Sequence, residues 1–327
     1  MKQHLNKLFL TLSILLLFTV FAYGWGFWAH KKINHQAVFT LPSAMIGFYK
    51  SHITYLTNHA VDPDKRRYIN KKEAPRHYIS IDHYGKHPFD SIPVNWKDAV
   101  AKFTEDTLLG YGIVPWQIIT MEYQLTDAFK KHDVDKILYF SANIGHYIAD
   151  AHVPLHCALN YNGQLTNQVG IHAFWESRIP ELFGDDYNYF TGRAHYIEKP
   201  QLEAWQIVKG SFDAVDSVLS FEKQLNDKFP SDKKYAYETK GRQTLKVYSK
   251  EYSKAYSDML DGMIERRMRE AIAEVGSFWY TAWVNAGSPD LKNMKDKEIS
   301  EEMKRQLAEQ DSLFKQGKLW EKDHCVE

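Results

Sequence analysis

The stretch DVDKILYFSANIGHYIADAHVPLH, residues 133–156, decides the fold class. Its apolar residues recur at helical spacing, which predicts an amphipathic helix over its first two thirds. His146 and Asp150 are four residues apart, about 40° around the helix axis, so their side chains point the same way and can bind one metal ion. His152 would point about 240° around from His146 if the helix continued, so we exclude it as a ligand.

The residues after this helix extend the same polar pattern. Pro154 should end the helix just before it, which leaves His156 in the following loop, free to turn back toward the same pocket. The segment GIHAFWE then places His172 and Glu176 four residues apart on one helical face. Two histidine and carboxylate pairs with a histidine between them predict a metal site.

The rest of the chain also favours helices. Strand-like alternation is scarce, and breaks rich in Pro, Gly, Asn and charge fall at 62–90, 160–170 and 228–242. We therefore predict a single all-α domain over residues 25–287, followed by a charged tail, 288–327, that is helical or disordered. The segments with helical apolar spacing are 43–60, 114–131, 133–151, 170–183, 201–225 and 257–287.

The first 24 residues have the features of a secretory signal peptide. Lys2 and Lys7 precede an apolar run, 8–21. Ala22 and Gly24 then supply small residues at the positions that a signal peptidase reads. Cleavage after Gly24 would make Trp25 the first residue of a secreted or periplasmic protein; the alternative is an uncleaved N-terminal anchor. The run is shorter than the roughly 20 apolar residues that span a bilayer.

Charge and cysteine content narrow the function further. The chain has 41 basic and 41 acidic residues, and loss of the two signal-peptide lysines leaves 39 against 41, a net charge of −2. This balance is not that of a polyanion-binding domain, so any phosphate recognition must be local. With only Cys157 and Cys325, no disulfide framework holds the fold; one bridge could form, although Cys157 better suits a small buried slot beside His156.

Residues 133–156 resemble the motif helix of the superfamily that contains zinc-dependent phospholipase C and the secreted single-strand-specific zinc nucleases. That motif reads His-aromatic-aliphatic-small-Asp, then Pro-Leu/Met-His. The resemblance runs from Trp25 to about Glu176, and 265–283 is weakly similar to the family's last helix. It implies a mainly helical domain built around a trinuclear zinc cluster, hence three Zn²⁺ ions.

Position by position, the resemblance implies one set of ligands for each ion. Trp25 would bind through its free amino nitrogen and its carbonyl oxygen, a chelate that exists only if cleavage precedes it, and Asp150 would bridge two ions. The implied sets are Asp62, His77, His146 and Asp150 for the first zinc; His156, His172 and Glu176 for the second; and Trp25, His30 and Asp150 for the third.

Two of these assignments have close competitors. Asp64 could bind in place of Asp62, although the Ala-x-Asp setting resembles the family and favours Asp62. His77 competes with Asp82 and His83, and the family spacing favours His77.

The resemblance also suggests substrate contacts. Lys65 follows Asp62 by three residues, where the nuclease branch carries an arginine, so it is a candidate phosphate ligand, although such a lysine can simply be solvated. Phe27 and Trp28 could stack on a base or meet a lipid surface, with core packing the alternative for one of them. Asp62 is the residue expected to orient or deprotonate the attacking water.

These features predict a zinc-dependent phosphodiester hydrolase that uses a metal-bound hydroxide. The short loop between His156 and His172, and Glu176 as the last ligand, resemble the phospholipase C branch. The five-residue step from Trp25 to His30 is instead typical of the single-strand-specific nuclease and 3'-nucleotidase branch, which is the alternative. A non-catalytic zinc-binding protein is the second alternative. The expected partner is a phospholipid or single-stranded nucleic acid, with transient membrane-surface contact and no obligate protein partner.

Overall fold

Helices make up most of the chain in the computed structural model, which describes residues 26–240 and 243–317. This confirms the predicted all-α class. The helices are α1 Phe27–Ala37, α2 Ser43–Ser51, α3 Ile53–Asn58, α4 Asp62–Arg67, α5 Pro88–Ser91, α6 Trp96–Phe103, α7 Glu105–Tyr111, α8 Val114–Lys130, α9 Val134–Ala151, α10 Ile171–Ala173, α11 Ile179–Phe183, α12 Pro200–Lys228, α13 Lys250–Met259, α14 Met263–Asn285 and α15 Glu301–Lys315. Short 3₁₀ turns lie at Val38–Thr40, His59–Val61, Ala74–His77, Ile81–Tyr84, Pro154–Cys157, Gly184–Asp186, Ser231–Lys233 and Lys292–Met294, and a π turn, Phe174–Arg178, joins α10 to α11.

The motif helix α9 lies in the core, packed against α8, α1 and α14. The Asp133 side chain caps its first turn by accepting from the Lys136 amide at 3.1 Å. Near its middle, Ser141 binds two neighbouring helices: its hydroxyl lies 3.0 Å from the Tyr49 hydroxyl, and its carbonyl accepts from the Trp279 indole at 3.0 Å. The helix ends at Ala151, three residues before Pro154, as predicted.

A glycine allows α1 to cross close to α9. A Cβ added at Gly145 would overlap the Asn34 side chain, which is buried and donates to the Ala142 carbonyl at 3.1 Å. This close approach brings the rings of His30 and His146 into a stack with centroids 3.9 Å apart. The backbone of α1 is therefore what carries His30 to the motif helix.

A two-stranded antiparallel hairpin interrupts the helices. Strands β1 Tyr235–Lys240 and β2 Gln243–Tyr248 pair in the register Tyr235↔Tyr248 and Tyr237↔Lys246, and they form the only sheet within 26–240 and 243–317. The sequence predicted a break here, not strands. The hairpin is fixed to the helical body by Arg178, which donates to the Tyr248 carbonyl at 3.1 Å.

The C-terminal segment is helical and attached to the body. Leu291 and Met294, which follow the predicted boundary at residue 287, are buried in the same hydrophobic core as the helices before it. Helix α15 then contacts α4, where Asp311 accepts from Lys65 at 2.7 Å. The described part of the predicted tail, up to residue 317, is thus packed against the domain.

Three further predictions concern residues outside the described ranges. The signal peptide, residues 1–24, lies there, as do Trp25 and Cys325. Cys157 is described, and it is fully buried next to His156. None of the helices between residues 26 and 317 that the structure describes is long and apolar enough to cross a membrane.

Candidate metal centre

Buried imidazole nitrogens and carboxylate oxygens converge where α1, α4, α9 and the π turn meet. Within the described ranges they form three groups, each with its potential ligand atoms within 4.8 Å of one another. Two of the groups share His146, and Asp150 belongs to one group and lies within 4 Å of a member of each of the other two, so we call the whole set the metal centre. Its members are His30, Asp64 and His146; His77, His146 and Asp150; and His156, His172 and Glu176.

The group around His77 has the dimensions of a first-row metal site. His77 Nδ1 lies 2.9 Å from Asp150 Oδ2, His146 Nε2 lies 3.1 Å from the same oxygen, and the two nitrogens are 3.0 Å apart. Tetrahedral zinc with bonds near 2.1 Å places its ligand atoms about 3.4 Å apart. An ion could therefore enter with only small outward shifts of the three side chains.

Asp150 links the groups through both of its oxygens. Oδ2 faces His77 and His146, while Oδ1 lies 3.3 Å from His30 Nε2 and 3.9 Å from His156 Nδ1. Burial alone would raise the pKa of Asp150, but His146 and His156 lower it well below the usual value. An ionised carboxylate shared in this way can bridge two metal ions.

The third group lies on an irregular helical segment. Glu176 Oε2 is 3.0 Å from His172 Nε2 and 3.5 Å from His156 Nε2. Glu176 and His172 are four residues apart, as predicted, but the turn between them is π-helical, a form often found at functional sites. His172 is the most exposed residue of the centre, which places the opening on this side.

Hydrogen bonds to backbone carbonyls fix which nitrogen of each ring faces inward. His146 Nδ1 donates to the Ala60 carbonyl at 2.8 Å, and His156 Nδ1 donates to the His77 carbonyl at 2.6 Å. Nε2 of both rings is then left as the lone-pair donor toward a metal. His77 is turned the other way, with Nδ1 inward and Nε2 3.8 Å from Glu73 Oε1.

Glu73 supports His77 from outside the centre, and sequence reasoning missed it. Its buried carboxylate accepts from Arg76 at 3.1 Å, from Arg66 at 3.4 Å and from the Tyr147 hydroxyl. A carboxylate behind a ligating histidine orients the ring and raises its basicity. The available signal was the four-residue spacing from Glu73 to His77.

Burial favours the neutral, metal-binding form of His30, His77 and His172, whereas at His146 the charges of Asp150 and Asp64 outweigh burial and raise the pKa. Burial lowers the pKa of His30 to about 3, and it lowers that of His172 to about 4 with a contribution from the charge of Arg67. Burial also raises the pKa of Glu176 to about 8. Neutral imidazoles are ready ligands, and a bound cation would favour the ionised form of Glu176.

The centre also concentrates buried polar atoms that lack a hydrogen-bond partner. Such atoms are costly in a folded protein, and each costs about 1–3 kcal/mol when left unpaired. Metal coordination would satisfy most of them, so the residues present fit one or more metal ions. Among the described residues, the unpartnered atoms are both ring nitrogens of His30, both carboxylate oxygens of Asp64, Nε2 of His77, Oδ1 of Asp150 and Oε1 of Glu176.

Asp64, the competitor of Asp62, lies in the metal centre, grouped with His30 and His146. Asp64 Oδ1 lies 3.8 Å from His146 Nε2. The Asp62 carboxylate instead accepts from His59 at 2.6 Å and from Lys65 at 3.0 Å, outside all three groups. Residues two apart on a helix point about 200° away from each other, so α4 can present only one of the two aspartates to the centre.

The same helix separates Lys65 from the predicted phosphate site. The Lys65 ammonium donates to both Asp62 and Asp311, and these two carboxylates hold it beside α15. Arg67, two residues on, carries the charge that helps to lower the pKa of His172. The sequence signal was present, because Arg67 follows Asp64 by three residues, as Lys65 follows Asp62.

The other sequence candidates have clear positions. Phe27 begins α1 and is half-buried, three residues before His30. Asp82 accepts from the Leu159 amide at 2.8 Å, and His83 stacks on a tyrosine ring, so neither belongs to the centre. His152 is also outside the three groups, as the helix geometry predicted.

No protein-family model matches the chain, and no curated protein matches it.

Proposed function

We propose that the protein is a zinc-dependent phosphodiester hydrolase, related to zinc phospholipase C and the single-strand-specific zinc nucleases. The observation that carries the proposal is the fusion of three buried ligand groups through His146 and Asp150. Imidazole and carboxylate ligands in four-coordinate dimensions suit zinc. Adjacent ions sharing a carboxylate are the usual arrangement for hydrolysis of phosphate esters.

The chemistry divides between the ions and the side chains. Bound ions would act as Lewis acids toward the phosphate and lower the pKa of a water molecule toward neutrality. Asp64, whose carboxylate has no hydrogen-bond partner among the described residues, takes the role first given to Asp62, as the acceptor of the proton from the attacking water. No side-chain nucleophile is needed.

Arg67 is the proposed phosphate ligand in place of Lys65. The nuclease branch carries an arginine three residues after its aspartate ligand, and counting from Asp64 gives Arg67. A guanidinium can bind two phosphate oxygens at once, which a lysine cannot. The electrostatic effect of Arg67 on His172 supports this position at the opening.

Among phosphodiesters we favour a phospholipid. The loop from His156 to His172 is short and closed by its own hydrogen bonds, including the Gln168 amide to the Gly163 carbonyl at 2.8 Å, and Glu176 completes the last group. Both features resemble the phospholipase C branch. The nuclease alternative predicts a longer loop and an aspartate at the position of Glu176.

The test is a comparison of substrates with and without metal. The mature protein should hydrolyse phosphatidylcholine faster than single-stranded DNA, and a chelator should abolish both this and any hydrolysis of bis(4-nitrophenyl) phosphate. Zinc should restore activity. Chelation should also lower thermal stability, because a ligand at 100 times its Kd stabilises the folded state by about 2.7 kcal/mol.

Paired variants separate the metal centre from general packing. His156→Ala should lose metal and turnover, whereas His152→Ala, a buried histidine outside the groups, should keep both. Full metal content without hydrolysis of any phosphodiester would indicate a non-catalytic zinc protein. Preference for single-stranded DNA would place the protein in the nuclease branch.

A further inference from the structure

Beside the metal centre lies an exposed surface that is both apolar and basic. We call it the hairpin surface, and it consists of Leu165, Val169, Tyr235, Tyr237 and Lys246. Leu165 is 72 % exposed, Val169 66 % and Tyr237 74 %, and Tyr235 and Lys246 are also exposed. Apolar side chains that cluster in this way mark a binding surface more often than scattered ones do.

The hairpin residues of this surface form one face, which borders the loop that carries Leu165 and Val169. Tyr235 pairs with Tyr248 and Tyr237 pairs with Lys246, so all four side chains lie on the same side of the hairpin. The Lys246 ammonium sits 4.0 Å from the centre of the Tyr235 ring. The Tyr248 hydroxyl reaches Gly170, 3.8 Å from where a Cβ would lie, and Val169 is the residue before it.

The hairpin contacts the chain segment that carries His172 and Glu176. The Tyr248 hydroxyl lies 3.8 Å from where a Cβ of Gly170 would be, two residues before His172. The Tyr248 ring stacks on Phe174, with centroids 3.9 Å apart, and two hydrogen bonds from Arg178 to Glu238, at 3.0 and 2.6 Å, tie the hairpin to the same segment. A partner docked on the hairpin would therefore sit beside the segment that carries these two residues of the metal centre.

The charge of this segment predicts an anionic partner. Residues 231–250 contain six basic and two acidic residues, a net charge of +4 in a chain whose net charge is zero. Lysines beside an anionic lipid surface each contribute to binding, and tyrosines favour the headgroup level of a bilayer.

The aliphatic residues of the hairpin surface favour a lipid over a nucleic acid as its partner. Single-stranded nucleic acids bind mainly by stacking bases on aromatic rings, and Leu165 and Val169 have no ring to offer. Aliphatic side chains instead enter the boundary between headgroups and acyl chains. We infer that the hairpin surface docks the protein on an anionic phospholipid bilayer, with the metal centre facing the lipid phosphates; this deepens the proposed function and rests on it for the substrate class.

The test is vesicle binding by the full mature protein. Binding should be tighter to vesicles of phosphatidylcholine mixed with phosphatidylserine than to phosphatidylcholine alone. Lys246→Gln should weaken binding to the anionic vesicles about fivefold and leave binding to neutral vesicles nearly unchanged. The double variant Leu165→Ser, Val169→Ser should weaken binding to both kinds of vesicle at least about tenfold, because two aliphatic side chains that would enter the bilayer are lost.

A matched control comes from an exposed tyrosine on another element. Tyr237→Ser should weaken vesicle binding, whereas Tyr123→Ser, at a tyrosine 64 % exposed on α8, should not. Equal effects of the two changes, or no vesicle binding by the unaltered protein, would overturn the inference. The inference would also be overturned if single-stranded DNA displaced the unaltered protein from vesicles and the Leu165→Ser, Val169→Ser double variant still bound vesicles fully.

Hydrolysis of bis(4-nitrophenyl) phosphate, which needs no membrane, keeps the two proposals separate. If the hairpin variants lose vesicle binding but hydrolyse this soluble diester normally, docking and catalysis are distinct and the inference stands. If the unaltered protein hydrolyses the soluble diester but does not bind vesicles, the docking surface is refuted and the proposed function survives. Vesicle binding without any hydrolysis refutes the proposed function alone.

Discussion

Exchanging one aspartate of α4 for asparagine should have opposite effects at positions 62 and 64. Asp64 is fully buried, both its oxygens lack a hydrogen-bond partner among the described residues, and Oδ1 lies 3.8 Å from His77 Nδ1 as well as from His146 Nε2. We expect Asp64→Asn to weaken metal binding by more than the roughly 10–100-fold typical of losing a residue that only orients a ligand. Turnover should fall with the metal.

Asp62→Asn should instead cost stability and leave the metal in place. The Asp62 carboxylate accepts from His59 and Lys65, and hydrogen bonds to a charged group contribute about 1.5–3 kcal/mol each. Asparagine keeps one acceptor, so we expect a loss of about 1–3 kcal/mol in the free energy of unfolding. Burial raises the pKa of Asp62, but His59 and Lys65 outweigh it and lower the pKa overall. Because the folded-state pKa is depressed, this contribution is present at neutral pH and is lost as the pH falls through that pKa.

Metal analysis after dialysis gives the metal content of each variant. Urea unfolding, with and without a chelator, gives the free energy of unfolding. In the metal-free protein, Asp64→Asn should change stability little, because neither Asp64 oxygen accepts a hydrogen bond from the described residues. Asp62→Asn should be destabilising with or without metal. Loss of metal from the Asp62→Asn protein, with full metal in the Asp64→Asn protein, would refute the placement of α4 and restore the assignment made from the family resemblance.

Two further changes test other parts of the structure. Arg67→Ala should lower turnover about 10²–10³-fold, the range for removing a group that stabilises transition-state charge, whereas Lys65→Ala should leave turnover nearly unchanged. Steady-state kinetics on bis(4-nitrophenyl) phosphate would measure both variants. A larger loss in Lys65→Ala than in Arg67→Ala would contradict the proposed phosphate site. Burial, together with the charges of Glu203 and Glu270, raises the pKa of Glu274 from 4.5 to about 7, so stability falls as the pH rises from the lower value toward the higher one. Glu274→Gln should therefore stabilise the protein by about 1–3 kcal/mol at about pH 8 and by much less at about pH 5, as measured by urea unfolding; an equal gain at both pH values would show that ionisation is not the cause.

The side chains of the metal centre whose proximity the sequence predicted are those brought together by local geometry. His146 with Asp150, and His172 with Glu176, are pairs four residues apart, so a helix alone brings them together. His156 follows because a proline ends the motif helix and the chain turns back.

The choice between Asp62 and Asp64 could not be made in this way. A 3₁₀ turn, His59–Val61, precedes α4, and the direction in which that short helix faces depends on its packing against α9. Both aspartates satisfy the same local rules, and only tertiary contacts separate them. Glu73 was missed for a similar reason, since its role depends on where His77 comes to lie.

The hairpin was missed because charge concealed its pattern. The segment alternates tyrosine with smaller or polar residues on β1, but it also carries the lysines that suggested a loop. Strand preference depends on the surface a strand packs against, and here that surface is supplied by Phe174 and Arg178. The C-terminal helix α15 was expected to be solvated because it carries many charged residues. The sequence does not show which of its side chains contact α4.

The last prediction concerns Trp25, which lies outside the described residues and which the family resemblance makes a ligand through its amine and carbonyl. Gly26, the next residue, is buried, its amide donates to the Glu176 carbonyl at 3.3 Å, and a Cβ there would lie 2.6 Å from Ser177 Oγ. His30 follows one turn later and points at Asp150. The described chain thus begins in contact with the helical segment that carries a carboxylate of the metal centre.

An extra Met or Gly before Trp25 would convert its amine into a peptide nitrogen, which is a very poor zinc donor. We expect such a variant to fold, to bind one metal ion fewer and to lose most of its turnover, whereas protein cleaved to begin at Trp25 keeps both. Trp25→Ala, cleaved at the same place, retains the amine and the carbonyl, so it should keep its metal and lose only the contacts of the indole. Metal analysis and hydrolysis of bis(4-nitrophenyl) phosphate measure these outcomes. An extended protein with unchanged metal content and activity would remove Trp25 from the ligand set and leave His30, Asp64 and His146 to hold that ion from side chains alone.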